Sequence, residues 1–113
     1  MYYVGIDVSK FKHTCFIASE SGEVVIDSFD FDNSASGFSS FKSVIDSLNS
    51  NQIKIGFEST GHYSANLAQF LINNDYEFYQ LSPVKVKRYA QALSSRKTKT
   101  DKIDAGVIAR FLM

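Results

Sequence analysis

The sequence has little of three residue types that mark particular protein classes: it contains one cysteine, one proline and no tryptophan. A single cysteine, Cys15, excludes an internal disulfide framework, and its apolar neighbours favour a place in the core over a reactive thiol. The scarcity of proline, together with 44% hydrophobic residues, excludes a disordered tail. No apolar run approaches the roughly 20 residues of a membrane-spanning helix, and no basic, cleavable leader opens the chain. We therefore expect a cytoplasmic protein with no membrane partner.

Net charge is also absent, because 12 basic residues balance 12 acidic ones. The charges are nevertheless separated along the chain, with a net charge of −6 over residues 1–77 and +6 over residues 78–113. Seven of the basic residues fall between Lys85 and Lys102. Such a segment is the usual electrostatic footprint of a phosphate backbone. A solvated, lysine-rich helix and loop explains the charge equally well.

The chain has 113 residues, the length of one domain. Three segments rich in β-branched and aromatic residues come first, and they predict an antiparallel meander. Helical and strand-like periodicities then alternate to the end of the chain. The predicted strands cover residues 2–9, 13–18, 24–29, 53–58 and 76–81, and the predicted helices start at Asn33 or Ser34, after Gly61, at Pro83 (ending near Leu93) and near Asp101.

This order of elements combines a meander with βαβ crossovers. It predicts an α/β fold with one mixed five-stranded sheet, in which three antiparallel strands are followed by parallel ones and helices cover both faces. The ribonuclease H-like fold has this element order. Because other folds share the pattern, the order alone is only moderately specific.

Two acidic residues fall where strands end. Asp7 lies in the first apolar strand, where an ionised carboxylate has to be paired, hydrated or bound to a cation. Glu58 ends the fourth strand, and ligands of α/β sheets collect outside the carboxyl ends of the strands. If the first and fourth strands are adjacent and parallel, the two carboxylates meet at that edge. The alternative for Asp7 is a salt-bridged acid at a strand end.

Two further acids, Asp101 and Asp104, open the last helix three residues apart. Ile108 and Phe111 continue the same stripe, so both carboxylates are expected to point toward the protein. Helix-dipole stabilisation would account for one such acid but not for two on the inward face. Converging carboxylates require a cation, and oxygen-only ligands select Mg²⁺ or Mn²⁺. The pattern favours a metal site over scattered surface acids.

Three stretches resemble the motifs of a known family: Gly5–Lys10, Phe57–Gly61 and Lys99–Ala105. In order and spacing they are similar to the DEDD-type transposases of the insertion-sequence-110 family, which includes the pilin-gene invertases. The resemblance covers essentially the whole chain. It implies that residues 1–113 form a RuvC-like N-terminal domain. It also implies a catalytic, metal-binding tetrad of Asp7, Glu58, Asp101 and Asp104.

The function that this resemblance implies is that of a transposase or DNA recombinase. Such an enzyme cuts and rejoins DNA during transposition of an insertion sequence, with Mg²⁺ or Mn²⁺ as cofactor and a structured RNA that bridges target and donor. The family also has a C-terminal domain with a nucleophilic serine. Because the last helix ends at Met113 without a cap or breaker, we expect a fragment that lacks this domain. The full-length protein is expected to be a homo-oligomer.

Phosphate contacts near the acidic cluster are expected from six basic residues: Lys87, Arg88, Arg96, Lys97, Lys99 and Lys102. Ser9 is interpreted as a turn former, and His13 as a histidine on the strand surface rather than a metal ligand. Three alternatives stay open. The first is a stand-alone RuvC-like junction nuclease, against which the Lys99–Ala105 stretch argues. The second is a nucleotide-binding fold of the sugar-kinase and actin type, which requires a glycine-rich turn after Asp7. The third is a non-catalytic scaffold that binds RNA or DNA.

Overall fold

The computed structural model describes residues 1–59, 61–93 and 104–113. Within these residues three strands come first, helices and strands then alternate, and two helices follow the last strand. A short 3-10 helix, Gly61–Ser64, follows the fourth strand. The elements are β1 (Tyr2–Asp7), β2 (Lys12–Ser19), β3 (Val24–Asp32), α1 (Ala35–Ser47), β4 (Ile53–Glu58), α2 (Ala65–Asn73), β5 (Phe78–Leu81), α3 (Pro83–Leu93) and α4 (Ala105–Leu112).

The strands form one mixed sheet in the order β3-β2-β1-β4-β5. β1 pairs with β2, and β2 with β3, in the antiparallel sense, whereas β4 is parallel to both β1 and β5. The predicted five-stranded mixed sheet is therefore confirmed. Because β1, β4 and β5 are parallel, their carboxyl ends meet at one edge of the sheet. This edge is called the carboxyl edge below.

One face of the sheet carries the main core. Alternate residues of the central strands, among them Ile6 and Phe57, are fully buried against α1 and α2. α1 forms where the sequence predicts it, because Phe41 and its neighbours repeat at helical spacing and Ser34 caps the first turn. The Ser34 side chain accepts a hydrogen bond of 3.3 Å from the Gly37 amide.

The opposite face of the sheet carries α4, which packs directly on the backbone of β1. A Cβ atom at Gly5 would collide with the carbonyl oxygen of Ala105 and would lie 2.5 Å from the amide nitrogen of Ala109. At Gly56 on β4, a Cβ atom would lie 2.8 Å from the Leu112 side chain. At Gly5 only glycine permits this approach of two backbones. Gly5, Ala105 and Ala109 therefore fix α4 over β1, and Gly56 lies beneath Leu112 at the C-terminal end of the helix. Within the described residues, no helix has the length and apolar character needed to cross a bilayer.

The last helix begins later than the sequence predicts. α4 starts at Ala105, and Asp104 precedes it with an extended backbone, φ −114° and ψ −179°. The Asp104 Oδ1 atom accepts a hydrogen bond of 3.0 Å from the amide of Val107. The prediction of a helix that starts near Asp101 and carries Asp104 on its inward face was therefore wrong. The physical reason is that a short carboxylate binds free amides at a helix start better than it fits inside the helix. Asp101 lies outside the described residues.

Candidate functional site

The candidate site begins with two carboxylates at the carboxyl edge. Asp7 is the last residue of β1 and Glu58 the last of β4. The two strands pair in parallel with Ile6 opposite Phe57, so the next residue of each strand lies beside the other. Side chains alternate between the two faces of a strand. Asp7 and Glu58 therefore share the face of Gly5, which α4 covers, and the predicted meeting of these acids is confirmed.

The electrostatics of Glu58 agree with this proximity. Partial burial raises the pKa of the Glu58 carboxyl, and the negative charge of Asp7 raises it further. Both causes act against the ionised form, since burial removes the carboxylate from water and the neighbouring negative charge repels it. A bound cation would reverse the effect. Two carboxylates with no nitrogen or sulfur donor suit Mg²⁺ or Mn²⁺, which take oxygen ligands.

Asp104 lies on the same face of the sheet as this pair. It directly precedes Ala105, whose carbonyl oxygen packs against Gly5, two residues before Asp7. Its side chain is exposed, and one carboxylate oxygen caps α4. Helix packing therefore brings a third acid of the predicted tetrad to this side of the sheet, as an N-cap rather than as part of a helix face.

The fourth acid, Asp101, falls in the range that the structure leaves undescribed. Among residues 1–59, 61–93 and 104–113, no group of three or more histidine, cysteine or acidic side chains is arranged to hold a metal. The described part of the chain thus contributes the pair of Asp7 and Glu58 to the candidate metal site. Convergence of all four acids stays a prediction.

Two of the six predicted phosphate-contacting residues lie on α3. Lys87 and Arg88 are exposed, because Val86 and Ala90 turn the apolar side of the helix inward. α3 begins at Pro83, just after β5 ends at the carboxyl edge. Lys87 and Arg88 therefore belong to an element that starts at the same edge as the carboxylates. The other four, Arg96, Lys97, Lys99 and Lys102, lie outside the described residues.

The turn between β1 and β2 is organised by a buried histidine. His13 is fully buried, so its interpretation as a strand-surface histidine was wrong. Its Nδ1 atom accepts a hydrogen bond of 3.2 Å from the Ser9 amide. Burial lowers the pKa of His13, which agrees with a neutral ring that accepts at this nitrogen. The period-two pattern that places Cys15 in the core would also have placed His13 there.

The hydroxyl of Ser9 donates to the carbonyl oxygen of Lys12. Its interpretation as a turn former is therefore confirmed. Cys15 is also buried as predicted, and burial raises the pKa of its thiol, which keeps it protonated.

Glu58→Gln should stabilise the metal-free protein more strongly as the pH rises. Because the pKa of Glu58 is raised by folding, the folded state holds this proton more tightly than the unfolded chain does. The contribution of Glu58 to wild-type stability should fall as the pH rises above about 4.3, the ordinary pKa of glutamate, through the higher folded pKa. Glutamine does not titrate. Urea unfolding in EDTA between pH 4 and pH 7 measures the difference.

The matched control for this prediction is Glu23→Gln, on an exposed turn. It should follow the wild-type curve. A Glu58→Gln curve parallel to that of the wild type would contradict the electrostatic coupling between Glu58 and Asp7.

Comparison with known proteins identifies similarities in sequence and in structure. The family model of the DEDD transposases of the insertion-sequence-110 type (DEDD_Tnp_IS110, Transposase) matches residues 4–113. No curated protein matches the chain in sequence. Among solved structures, the fold resembles RuvC of T. thermophilus in complex with a Holliday junction substrate. The two are 12% identical with a TM-score of 0.57, over 96% of this chain and 90% of that one.

A second solved structure is more distantly similar. It is the PPX-GPPA enzyme of Aquifex aeolicus, with a TM-score of 0.46 and 11% identity. The match covers 82% of this chain and 41% of that one. The fold assignment rests on the similarity to RuvC, which establishes the ribonuclease H-like fold predicted from the element order.

Proposed function

We propose that this chain, which belongs to the DEDD transposase family of the insertion-sequence-110 type, forms the metal-dependent catalytic domain of a recombinase. The family and the RuvC-like fold support a domain for DNA cleavage and recombination. The observation that carries the proposal is the pair of carboxylates, Asp7 and Glu58, side by side at the carboxyl edge, which is called the catalytic edge from here on. Two neighbouring carboxylates repel each other, which raises the cost of ionising both. Its placement where sheets bind ligands supports a functional role.

We assign the metal ligands to Asp7 and Glu58, together with Asp101 and Asp104. The pair at the strand ends fits Mg²⁺ or Mn²⁺, because it supplies only oxygen donors and its repulsion is relieved by a cation. When bound, the ions would stabilise charge on the oxygens of a phosphodiester. The rigid sheet holds Asp7 and Glu58 in register, and the close packing of α4 on Gly5 holds Asp104 on the same side.

The finer parts of the function follow from the family resemblance. We propose that the attacking serine belongs to a C-terminal domain of a longer, homo-oligomeric protein acting in the cytoplasm. We propose also that a structured RNA guides the choice of target and donor. In this assignment the 113 residues orient a phosphate and stabilise charge on it, but they do not supply the nucleophile.

Recombination between a donor and a target plasmid tests the proposal. Full-length protein with its RNA should yield joined products, whereas the 113-residue chain should yield none, because the proposed attacking serine belongs to another domain. Omission of the divalent metal should abolish exchange by the full-length protein. Recombination by the 113-residue chain alone, or undiminished exchange in EDTA, would overturn the assignment. Cleavage of a Holliday junction by this chain alone would favour a stand-alone junction nuclease instead.

Lys87→Gln combined with Arg88→Gln should weaken nucleic-acid binding without changing sequence preference. Contacts to phosphates carry no base information, so affinity should fall by a similar factor for unrelated sequences. The slope of log affinity against log salt should become shallower by about 0.9 for each phosphate that the variant no longer neutralises. Fluorescence anisotropy at several salt concentrations measures both quantities.

The control for this double variant is Lys42→Gln, on the opposite side of the sheet, where Lys42 pairs with Asp46 at 2.9 Å. It should leave the slope unchanged. An unchanged slope in the α3 double variant would remove Lys87 and Arg88 from the nucleic-acid interface.

A further inference from the structure

The most exposed large apolar side chain among the described residues is Phe11, at 76% exposure. It lies in the β1–β2 turn, residues 8–11, four residues after Asp7 and therefore just beyond the catalytic edge. Single exposed apolar residues are common on protein surfaces and need no explanation alone. Two further observations, the fixing of the turn and the charge beside the ring, distinguish this one.

The first observation is that hydrogen bonds hold the carbonyl groups of Lys10 and Phe11. Asn33, which precedes the N-cap residue of α1, donates from its backbone amide to the Phe11 oxygen at 2.8 Å and from Nδ2 to the Lys10 oxygen at 3.1 Å. Ser9 donates its hydroxyl to the Lys12 oxygen and its amide to the buried His13 ring. The turn is thus anchored to the core, and Phe11 is displayed outward on a fixed backbone.

The second observation is the charge beside the ring. The Nζ atom of Lys10 lies 5.1 Å from the centroid of the Phe11 ring, a cation–π arrangement. Lys12 follows directly and pairs with Asp30 at 3.3 Å. An aromatic face next to a lysine is the combination by which proteins bind single strands, since the ring stacks on a base while the cation meets the backbone.

We propose that the β1–β2 turn is a rigid platform on which Phe11 stacks against an unpaired nucleobase of the strand held at the catalytic edge. The inference rests on the proposed function, which supplies nucleic acid as the partner. An unpaired base is the fitting occupant because bases inside a duplex are already stacked on both faces. A turn fixed before binding lowers the entropy cost of ordering the aromatic ring in the complex.

Anisotropy with a labelled 16-nucleotide single strand and with its duplex tests the platform. Phe11→Ala should lower affinity for the single strand about ten-fold, since stacking on one base is worth a factor of this order. Affinity for the duplex should stay within about two-fold, because Lys10 still meets the backbone. Asn33→Ala removes the Nδ2 bond to the Lys10 oxygen but keeps the backbone bond to Phe11 and the ring, so it should cause a smaller loss than Phe11→Ala. Thermal melting of each variant checks that the fold is intact.

The absence of tryptophan from the chain offers a direct optical test. Phe11→Trp should retain single-strand affinity, and its fluorescence should be quenched on binding the single strand. The matched control is Ile72→Trp, at a position 56% exposed on α2 across the sheet, whose fluorescence should not change.

Equal losses on single strand and duplex, or no loss in Phe11→Ala, would overturn the platform. So would a wild-type chain that binds no single strand. The proposed function is judged separately by metal binding and recombination, so either can fail without the other.

Discussion

Asp7→Asn should abolish the Mn²⁺-dependent rise in the melting temperature of this chain. Mn²⁺ at 100 times its dissociation constant stabilises a folded protein by about 2.7 kcal/mol, which corresponds to about 10 °C for a domain of this size. Asparagine removes the charge of one ligand while keeping the shape of the side chain. In EDTA the melting temperature of the variant gives the effect of the substitution on the metal-free fold. Differential scanning calorimetry with and without Mn²⁺ measures both effects.

The response to Mn²⁺ distinguishes a metal ligand from a structural residue. Loss of a merely structural carboxylate would lower the melting temperature in EDTA and leave the response to Mn²⁺ intact. Asp27→Asn, at an exposed position on β3, is the matched control and should respond to Mn²⁺ as the wild type does. Equal Mn²⁺ responses of the wild type and Asp7→Asn would remove Asp7 from the site.

In the full-length protein, Asp7→Asn should lower strand exchange by orders of magnitude while nucleic-acid binding persists. A misplaced metal removes stabilisation of the transition state more than affinity for the ground state. Parallel loss of binding and exchange would indicate instead that Asp7 supports the nucleic-acid interface as a whole.

The meeting of Asp7 and Glu58 could be predicted from sequence because it depends on two strong regularities. Strands of alternating apolar residues place every second side chain on one face, and a βαβ crossover makes its strands parallel. Once β1 and β4 are neighbours, their terminal acids share an edge and a face. The same regularities predict the mixed five-stranded sheet, and the Ser34 cap predicts the start of α1.

The start of α4 could not be predicted, because the choice between cap and helix depends on local competition. Asp104 fits a helical stripe with Ile108 in sequence, but as an N-cap it also satisfies a free amide of the first turn. The close approach of Ala105 to Gly5 could not be predicted either, since a glycine in a strand does not indicate which element packs on it. The exposure of Phe11 depends on hydrogen bonds from Asn33, which is 22 residues away in the chain.

Asp104 caps α4 and is also a proposed metal ligand, and two substitutions can separate these roles. Asp104→Asn should retain the helix cap, because asparagine is as good an N-cap as aspartate, whereas Asp104→Ala should lose about 1 kcal/mol of stability with the cap. If Asp104 is also a metal ligand, both variants of the full-length protein should lose strand exchange by orders of magnitude while still binding nucleic acid. Urea unfolding, anisotropy and plasmid recombination measure the three quantities.

The pair of variants separates the two roles of Asp104 because stability and exchange should change independently. A cap without a catalytic role would leave Asp104→Asn as active as the wild type, and any loss in Asp104→Ala would follow its lower stability. An active Asp104→Asn would therefore reduce the metal site to the remaining acids. An inactive but stable Asp104→Asn would establish that the carboxylate capping α4 also serves the catalytic edge. The close packing of α4 on Gly5 would then have a catalytic purpose, since it positions that carboxylate beside β1.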